Sequence, residues 1–337
     1  MSALVAALLF GAGTPLAKML LGALDPWLLA GLLYLGSGLG MSAYRIVSAA
    51  QPVRLSAVDL PWLAAAVAAG GVAAPVLLMI GLAGTPASGA SLLLNLEGVF
   101  TALLAWFAFR ENFDRRIALG MVAIVAGAAI LSWPGELRIA GGGPTLAILA
   151  ACLCWGLDNN FTRKVSLTDA SWIAAVKGLV SGTVNLILAA VLGTSMPKLG
   201  SAAAAMVLGV FAYGISLALF VIALRHLGTA RTGAYFSVAP FFGAVLALTL
   251  GEPLTLPLAT AGLLMGVGVW LHLSERHEHE HTHEDIEHEH EHMHDAHHEH
   301  EHESGEQVLG PHRHRHRHQP VTHWHPHYPD SHHRHPH

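Results

Sequence analysis

Residues 1–271 are an almost unbroken series of apolar stretches, and this constrains the chain more than any other feature. A helix needs about 20 apolar residues to cross roughly 30 Å of hydrocarbon. Divided at its turn signals, the sequence gives ten such stretches, at about 3–22, 27–46, 61–80, 86–108, 116–133, 144–163, 170–192, 202–224, 230–250 and 257–273. Across those 271 residues there are 13 Lys and Arg and 9 Asp and Glu, far below the roughly 25% charged residues of a soluble domain. The expectation is an all-α integral membrane protein of ten transmembrane helices lying in the lipid bilayer. The first stretch lacks a basic flank and continues through Pro15 and Lys18 into more apolar chain, so it reads as a retained span rather than a cleaved signal.

The basic residues are unevenly distributed between alternate connections. With the N-terminus inside, nine lie on cytoplasmic connections: Arg45, Arg54, Arg110, Arg115, Arg116, Arg163, Lys164, Arg225 and Arg231. Three lie outside: Lys18, Arg138 and Lys198. This bias predicts that both termini are cytoplasmic.

The two halves also repeat. FGAGTPLAK (Phe10 to Lys18) in the first span corresponds to WGLDNNFTRK (Trp155 to Lys164) in the sixth. GTPASGAS (Gly84 to Ser91) introduces the fourth span as GTARTGAY (Gly228 to Tyr235) introduces the ninth, and those spans close with FRE (Phe109 to Glu111) and LGE (Leu250 to Glu252). Five spans per repeat is an odd number, so the second copy enters the membrane upside down. The expected domains are a first five-helix repeat over 1–135, a second, inverted one over 144–273, and a tail over 274–337. A substrate site is expected near the midplane between the halves.

The last 66 residues, from His272 onward, hold 24 of the 25 histidines. His277 to Glu303 alternates His with Glu or Asp, whereas His312 to His318 alternates His with Arg. Neutral imidazoles suit borderline divalent metals, and the interleaved carboxylates offset their charge. The candidate ligands are His277, His279, His281, His283, His288, His290, His292, His294, His297, His298, His300 and His302. The Arg block is expected to bind less well, because its charge repels a cation. With almost no apolar residues the tail should be disordered without metal, and its irregular spacing names no particular ion. Cys152 and Cys154, two residues apart on a helix, point to nearly opposite faces and suggest neither a disulfide nor a thiolate site.

The order and spacing of these motifs resemble the EamA group of the drug/metabolite transporter superfamily over about residues 1–273. That resemblance implies a helical bundle around a central cavity, working by alternating access and exporting small solutes. Family members carry proline midway along the fourth helix of each repeat. Pro240 matches in the second repeat, but the corresponding window of the first contains Glu97 instead. The His-rich C-terminus is similar to that of nickel-resistance membrane proteins, and this narrower likeness implies nickel and cobalt.

A carboxylate near mid-membrane costs about 2.5–3.5 kcal/mol on insertion scales, so it faces protein or water and marks an ion path. Glu97 is therefore the leading cavity residue, joined by Asn95, Asp158, Asn159, Thr14, Pro240 and Lys177. Glu97 and Asp158 could hold a divalent cation or relay protons, while Asp158 could equally pair with Arg163 or Lys164. Lys177 needs a partner such as Glu97 or Asp158. Lys18, Arg163 and Arg231 read as anchors at helix ends, His226 as a surface residue, and Glu111 and Glu252 as loop or packing residues.

There is no nucleotide-binding loop, catalytic triad or zinc-hydrolase spacing, so no enzyme is expected, nor any cofactor or nucleic-acid partner. Two transport readings follow, for a monomer or homodimer in a bacterial cytoplasmic (inner) membrane. One is a proton-coupled exporter of nickel, cobalt or zinc fed by the tail. The other is an exporter of an organic metabolite, amino acid or drug with a metal-sensing tail. A membrane-anchored metal buffer that transports nothing is disfavoured, because an anchor needs one helix and no intramembrane charge.

Overall fold

The computed structural model describes residues 1–53, 55–108, 115–132, 143–165, 168–274, 278–282, 286–292, 312–318 and 322–326. For residues 105, 115, 117, 132, 224–231, 233–234 and 272 and the four tail segments, only the backbone is described. The body, within Met1–Glu275, and the tail, within Arg276–Tyr328, are separate units.

The described body is all-helical. Its first half contains α1 (Ser2–Leu20), α2 (Pro26–Val47), α3 (Leu60–Ala66), α4 (Ala74–Ala83), α5 (Ala87–Leu93), α6 (Leu96–Phe107) and α7 (Arg115–Ser132). The second contains α8 (Gly143–Lys164), α9 (Ala170–Val191), α10 (Leu199–Gly209), α11 (Ser216–Phe236), α12 (Ala239–Thr249) and α13 (Leu256–Leu273). Among the described residues, six helical stretches are long and apolar enough to cross a membrane: Ser2–Leu20, Pro26–Val47, Leu60–Ala83, Ala87–Leu104, Ala170–Val191 and Leu199–Ala223. Shorter apolar helices cover Ala118–Leu131, Ala239–Thr249 and Leu256–Leu271. Leu8, Leu119, Val122, Leu263 and Trp270 are exposed on the outside of this bundle, where lipid replaces water as their solvent.

Side chains begin several of these helices. Asp25 accepts from Trp27 N at 2.9 Å to start α2, Asp169 from Trp172 N at 2.8 Å to start α9, and Thr255 from Leu258 N at 3.3 Å to start α13. Each satisfies one backbone donor left free at a helix start, an effect of about 1 kcal/mol. Arg45, at the end of α2, reaches Asp169 Oδ1 at 2.6 Å and ties the end of α2 to the start of α9.

Small residues set the contacts between helices, as expected where hydrophobicity cannot drive helices together. α2 crosses α9 at Gly38 and Gly178, so closely that a Cβ on either would overlap the other helix's backbone. α7 packs on α13, where a Cβ on Gly127 would lie 3.0 Å from Ala261 O. Gly38→Leu is expected to force the α2–α9 crossing apart and cost about 1–3 kcal/mol or more. A lowered unfolding midpoint of the detergent-solubilised protein would show it, and an unchanged midpoint would mean that the crossing is not tight.

Four expected spans depart from simple helices. The stretch at 61–80 contains a π-helical segment, Val67–Ala73, between α3 and α4. Pro75 explains part of it: lacking an N–H, it leaves the Gly71 carbonyl four residues earlier without its helical donor. Asn185 Nδ2 donates to that oxygen instead, at 3.1 Å. The stretch at 86–108 breaks at Leu94 and Asn95, where the Asn95 amide bonds to Leu92 O at 3.0 Å and competes with the helix backbone. The boundary expected between 224 and 230 is absent. Helical backbone runs through α11 to Phe236, and the break comes at Ser237 and Val238, just before Pro240. A second π-helical segment, Val210–Ile215, lies between α10 and α11.

Within the tail, four short strands are described: β1 (Glu278–Thr282), β2 (Ile286–His292), β3 (His312–His318) and β4 (Thr322–Pro326). β1 pairs antiparallel with β4, and β2 with β3. Composition argues against a hydrophobic core but not against charge-matched pairing. Glu287, Glu289 and Glu291 stand opposite Arg317, Arg315 and Arg313, and opposite-charge partners contribute about 0.2–1 kcal/mol each. Of the tail histidines singled out from sequence, His279, His281, His288, His290 and His292 are on these strands. His277, His283, His294, His297, His298, His300 and His302 lie outside the described residues.

Candidate transport site

The polar interior is built on α8, which carries WGLDNN along its length. Glu97 is in the first turn of α6, immediately after the break in the fourth span, where its charge faces the positive end of that half-helix. Its carboxylate accepts from Asn159 Nδ2 at 2.9 Å. Asn159 also donates to Thr101 Oγ1 at 3.2 Å, and Asn160 donates to Thr101 O at 3.2 Å, so α6 and α8 are joined by amides. Glu97 itself is half-buried.

Asp158 belongs to a different set. Lys177 Nζ, on α9, lies 2.5 Å from Asp158 Oδ1 and 2.7 Å from Oδ2, and Thr162 Oγ1 donates to Oδ1 at 2.8 Å. Both partners are almost fully buried. A paired, hydrogen-bonded charge avoids most of the desolvation cost that a lone ion would carry here. Lys177 is thus the partner of Asp158, whereas Glu97 is bonded by Asn159.

Next to these groups is an aromatic cluster that contains both repeat motifs. The rings of Phe10 and Trp155, equivalent residues of the two halves, meet edge-on with centroids 5.8 Å apart. Tyr213, in the second π-helical segment, packs on Phe10 at 5.9 Å and on Tyr34 at 5.1 Å. Tyr34 OH and Trp155 Nε1 both donate to Gly70 O, at 2.8 and 3.0 Å, in the first π-helical segment. Gly70 is closely approached by the Asp158 carboxylate, and a Cβ there would collide with it. Tyr34, Tyr213 and the π turns were not singled out from sequence. Pro75 after Gly70–Gly71 was the available signal for the first turn, because π turns recur at functional sites.

The other candidates are dispersed. Asn95 is buried, with Nδ2 3.8 Å from Met265 Sδ and with Oδ1 unpartnered among the described residues. Thr14 is buried on α1, and Pro240 is buried in the first turn of α12. Gly11, one turn before Thr14, lies against Ala239 O, the residue before Pro240. Lys18 bonds Leu82 O at 2.5 Å and Ala83 O at 3.1 Å, holding the last carbonyls of α4. Glu252 accepts from Ala87 N at 2.7 Å and Ser88 N at 2.8 Å, capping α5. The side chains of Glu111 and His226 lie outside what is described. Cys152 and Cys154 are free thiols. Among the described residues, no three of His, Cys, Asp and Glu come together as a metal site.

Apolar helices surrounding a charged and aromatic interior are the architecture of a multi-pass membrane protein. Residues 1–133 and 144–274 each match the EamA-like transporter family, and the chain belongs to that family, whose members are transporters and not enzymes. An uncharacterized transporter of Methanothermobacter thermautotrophicus is 36% identical over 208 residues, covering 59% of this chain and 60% of that protein. The uncharacterized transporter YyaM of Bacillus subtilis is 24% identical over 208 residues, covering 57% and 66%. The chain therefore spans less than two thirds of the length of these two relatives. A probable terminal-alkyne amino-acid exporter of Streptantibioticus cattleyicolor is 30% identical over 253 residues, covering 70% of this chain and 83% of that one. One crystal structure, 20% identical, shares the fold with a TM-score of 0.65 over 81% of this chain and 98% of its own. The names of these relatives specify no metal, so the likeness to nickel-resistance proteins rests on the tail alone.

Proposed function

We propose that the chain is a proton-coupled exporter of a small organic solute, of amino-acid or similar zwitterionic type, with a histidine-rich tail that senses divalent metal. The observation that carries this reading is the bond between Lys177 and both oxygens of Asp158. It gives Asp158 a cationic partner of its own, which supports a role for Glu97, beside the amide of Asn159, as the carboxylate that meets a substrate ammonium or a proton. Asn159, Tyr34 and the aromatic rings then supply neutral contacts for the rest of a small amphipathic molecule. The amino-acid exporter among the relatives supports the same substrate class.

In this reading the ten spans form two inverted five-helix repeats, and the half-helix break before Glu97 is matched by the break before Pro240. Such broken helices near the midplane are where transporters of this kind bind substrate. The excess of Arg and Lys on alternate connections supports a bacterial cytoplasmic membrane location with both termini, and therefore the tail, in the cytosol.

Metal export is the second reading, favoured by the 23 tail histidines, which would raise the local metal concentration at the inner mouth. Removing residues 277–337 separates the two readings. A sensing tail leaves solute efflux from proteoliposomes intact without metal and abolishes its response to added Ni²⁺. A feeding tail leaves solute efflux unaffected and slows Ni²⁺ efflux instead.

A further inference from the structure

The sequence treats the two histidine blocks of the tail as independent, with the Arg block a poor ligand because of its charge. The strand register joins them. His288, His290 and His292 stand directly opposite His316, His314 and His312, and the three intervening Glu residues stand opposite three Arg residues. In an antiparallel pair, directly opposite residues share a face and successive residues alternate. All six histidines therefore share one face of the ladder, and the Glu and Arg residues share the other.

We infer that β2 and β3 together form one divalent transition-metal site, built from the His–His face of their ladder. This rests on the reading that the tail binds metal, and it makes the Arg block a required half of the site. Directly opposite Cβ atoms are about 4.5–5.5 Å apart, and same-face neighbours along a strand are about 6.6–6.8 Å apart. Two adjacent cross-strand pairs thus place four histidines at neighbouring register positions on one face, the donor number of tetrahedral Zn²⁺ or tetragonal Ni²⁺ or Cu²⁺. Glu opposite Arg cancels the cationic charge that would repel a metal ion from the Arg strand.

The alternation also selects the register. A one-residue slip would place His opposite Arg and Glu opposite His, losing both the imidazole pairs and the charge pairs. The β1–β4 ladder keeps the same register and adds His279 opposite His325 and His281 opposite His323. Because an isolated two-stranded ladder is marginal in water, an ion that binds only the paired state would draw the two blocks together. Metal arrival thereby becomes a change in tail conformation.

The test uses the purified full-length chain in detergent, titrated calorimetrically with Ni²⁺ and with Zn²⁺. Replacing His312, His314 and His316 with Ala should weaken the tightest site as much as replacing His288, His290 and His292, by about tenfold or more in each case. Arg313, Arg315 and Arg317→Glu should weaken it about tenfold, and adding Glu287, Glu289 and Glu291→Arg should restore it to within about twofold. Loss confined to the His288–His292 variant, or no rescue by the double charge reversal, would overturn the joint site while leaving a metal-binding tail. If the unaltered chain binds neither ion, both ideas fall.

Discussion

Lys177→Met is expected to destabilise the body by about 3–5 kcal/mol, the penalty for leaving one charge of a buried pair without its partner. Asp158 is 6% and Lys177 2% exposed, so solvent cannot take over the lost contact. Thr162 donates one hydrogen bond to Asp158, which is too little to stabilise a carboxylate in that surrounding. Combining Asp158→Asn with Lys177→Met removes both charges and should recover most of the loss, because a neutral amide beside Thr162 leaves no buried ion. Denaturation midpoints of the two single variants and the double variant in detergent measure this coupling. Additive losses would mean that the pair is not the energetic unit the geometry describes.

Glu97→Gln has a different expected effect, on transport rather than on folding. Asn159 can bond a glutamine amide oxygen as it bonds the carboxylate, and Glu97 is only half-buried, so the bundle should stay intact with an unfolding midpoint close to that of the unaltered chain. Substrate efflux driven by an imposed proton gradient should fall to the level of empty liposomes, because the glutamine side chain can neither carry a proton nor neutralise a substrate ammonium. A variant that unfolds would place Glu97 among structural residues. A variant that folds and transports at full rate would remove it from the site.

The residues on which these predictions rest were legible in the sequence to different degrees. Glu97, Asp158 and Lys177 stand out because charge in an apolar helix is costly, and the Phe10–Gly and Trp155–Gly motifs locate two rings that do meet. Which of Glu97 and Asp158 partners Lys177 was not legible, because it depends on the rotation and crossing angle of α9 against α8, which neither helix encodes alone. Pro240 foretells the break before α12. The matching break at Leu94 and Asn95 depends on a side-chain amide turning back to Leu92 O, a choice that the same residue elsewhere in a helix need not make.

The π-helical segments show the same limit. Pro75 removes the donor for Gly71 O, but only the arrival of Asn185 from α9 makes that loss tolerable in a membrane interior. In the tail, composition argues against a hydrophobic core. The pairing of β2 with β3 follows from the signs of the charges at alternate positions, and becomes visible only when the two blocks are set against each other in opposite directions.

The most direct test of the proposed function is efflux from proteoliposomes carrying the unaltered chain under an imposed proton gradient, with labelled zwitterionic amino acids and Ni²⁺ compared in parallel. Gradient-driven movement of an amino acid, absent in Glu97→Gln and unaccompanied by Ni²⁺ flux, is the expected result. Gradient-driven Ni²⁺ movement without amino-acid flux would contradict it and establish the metal as cargo.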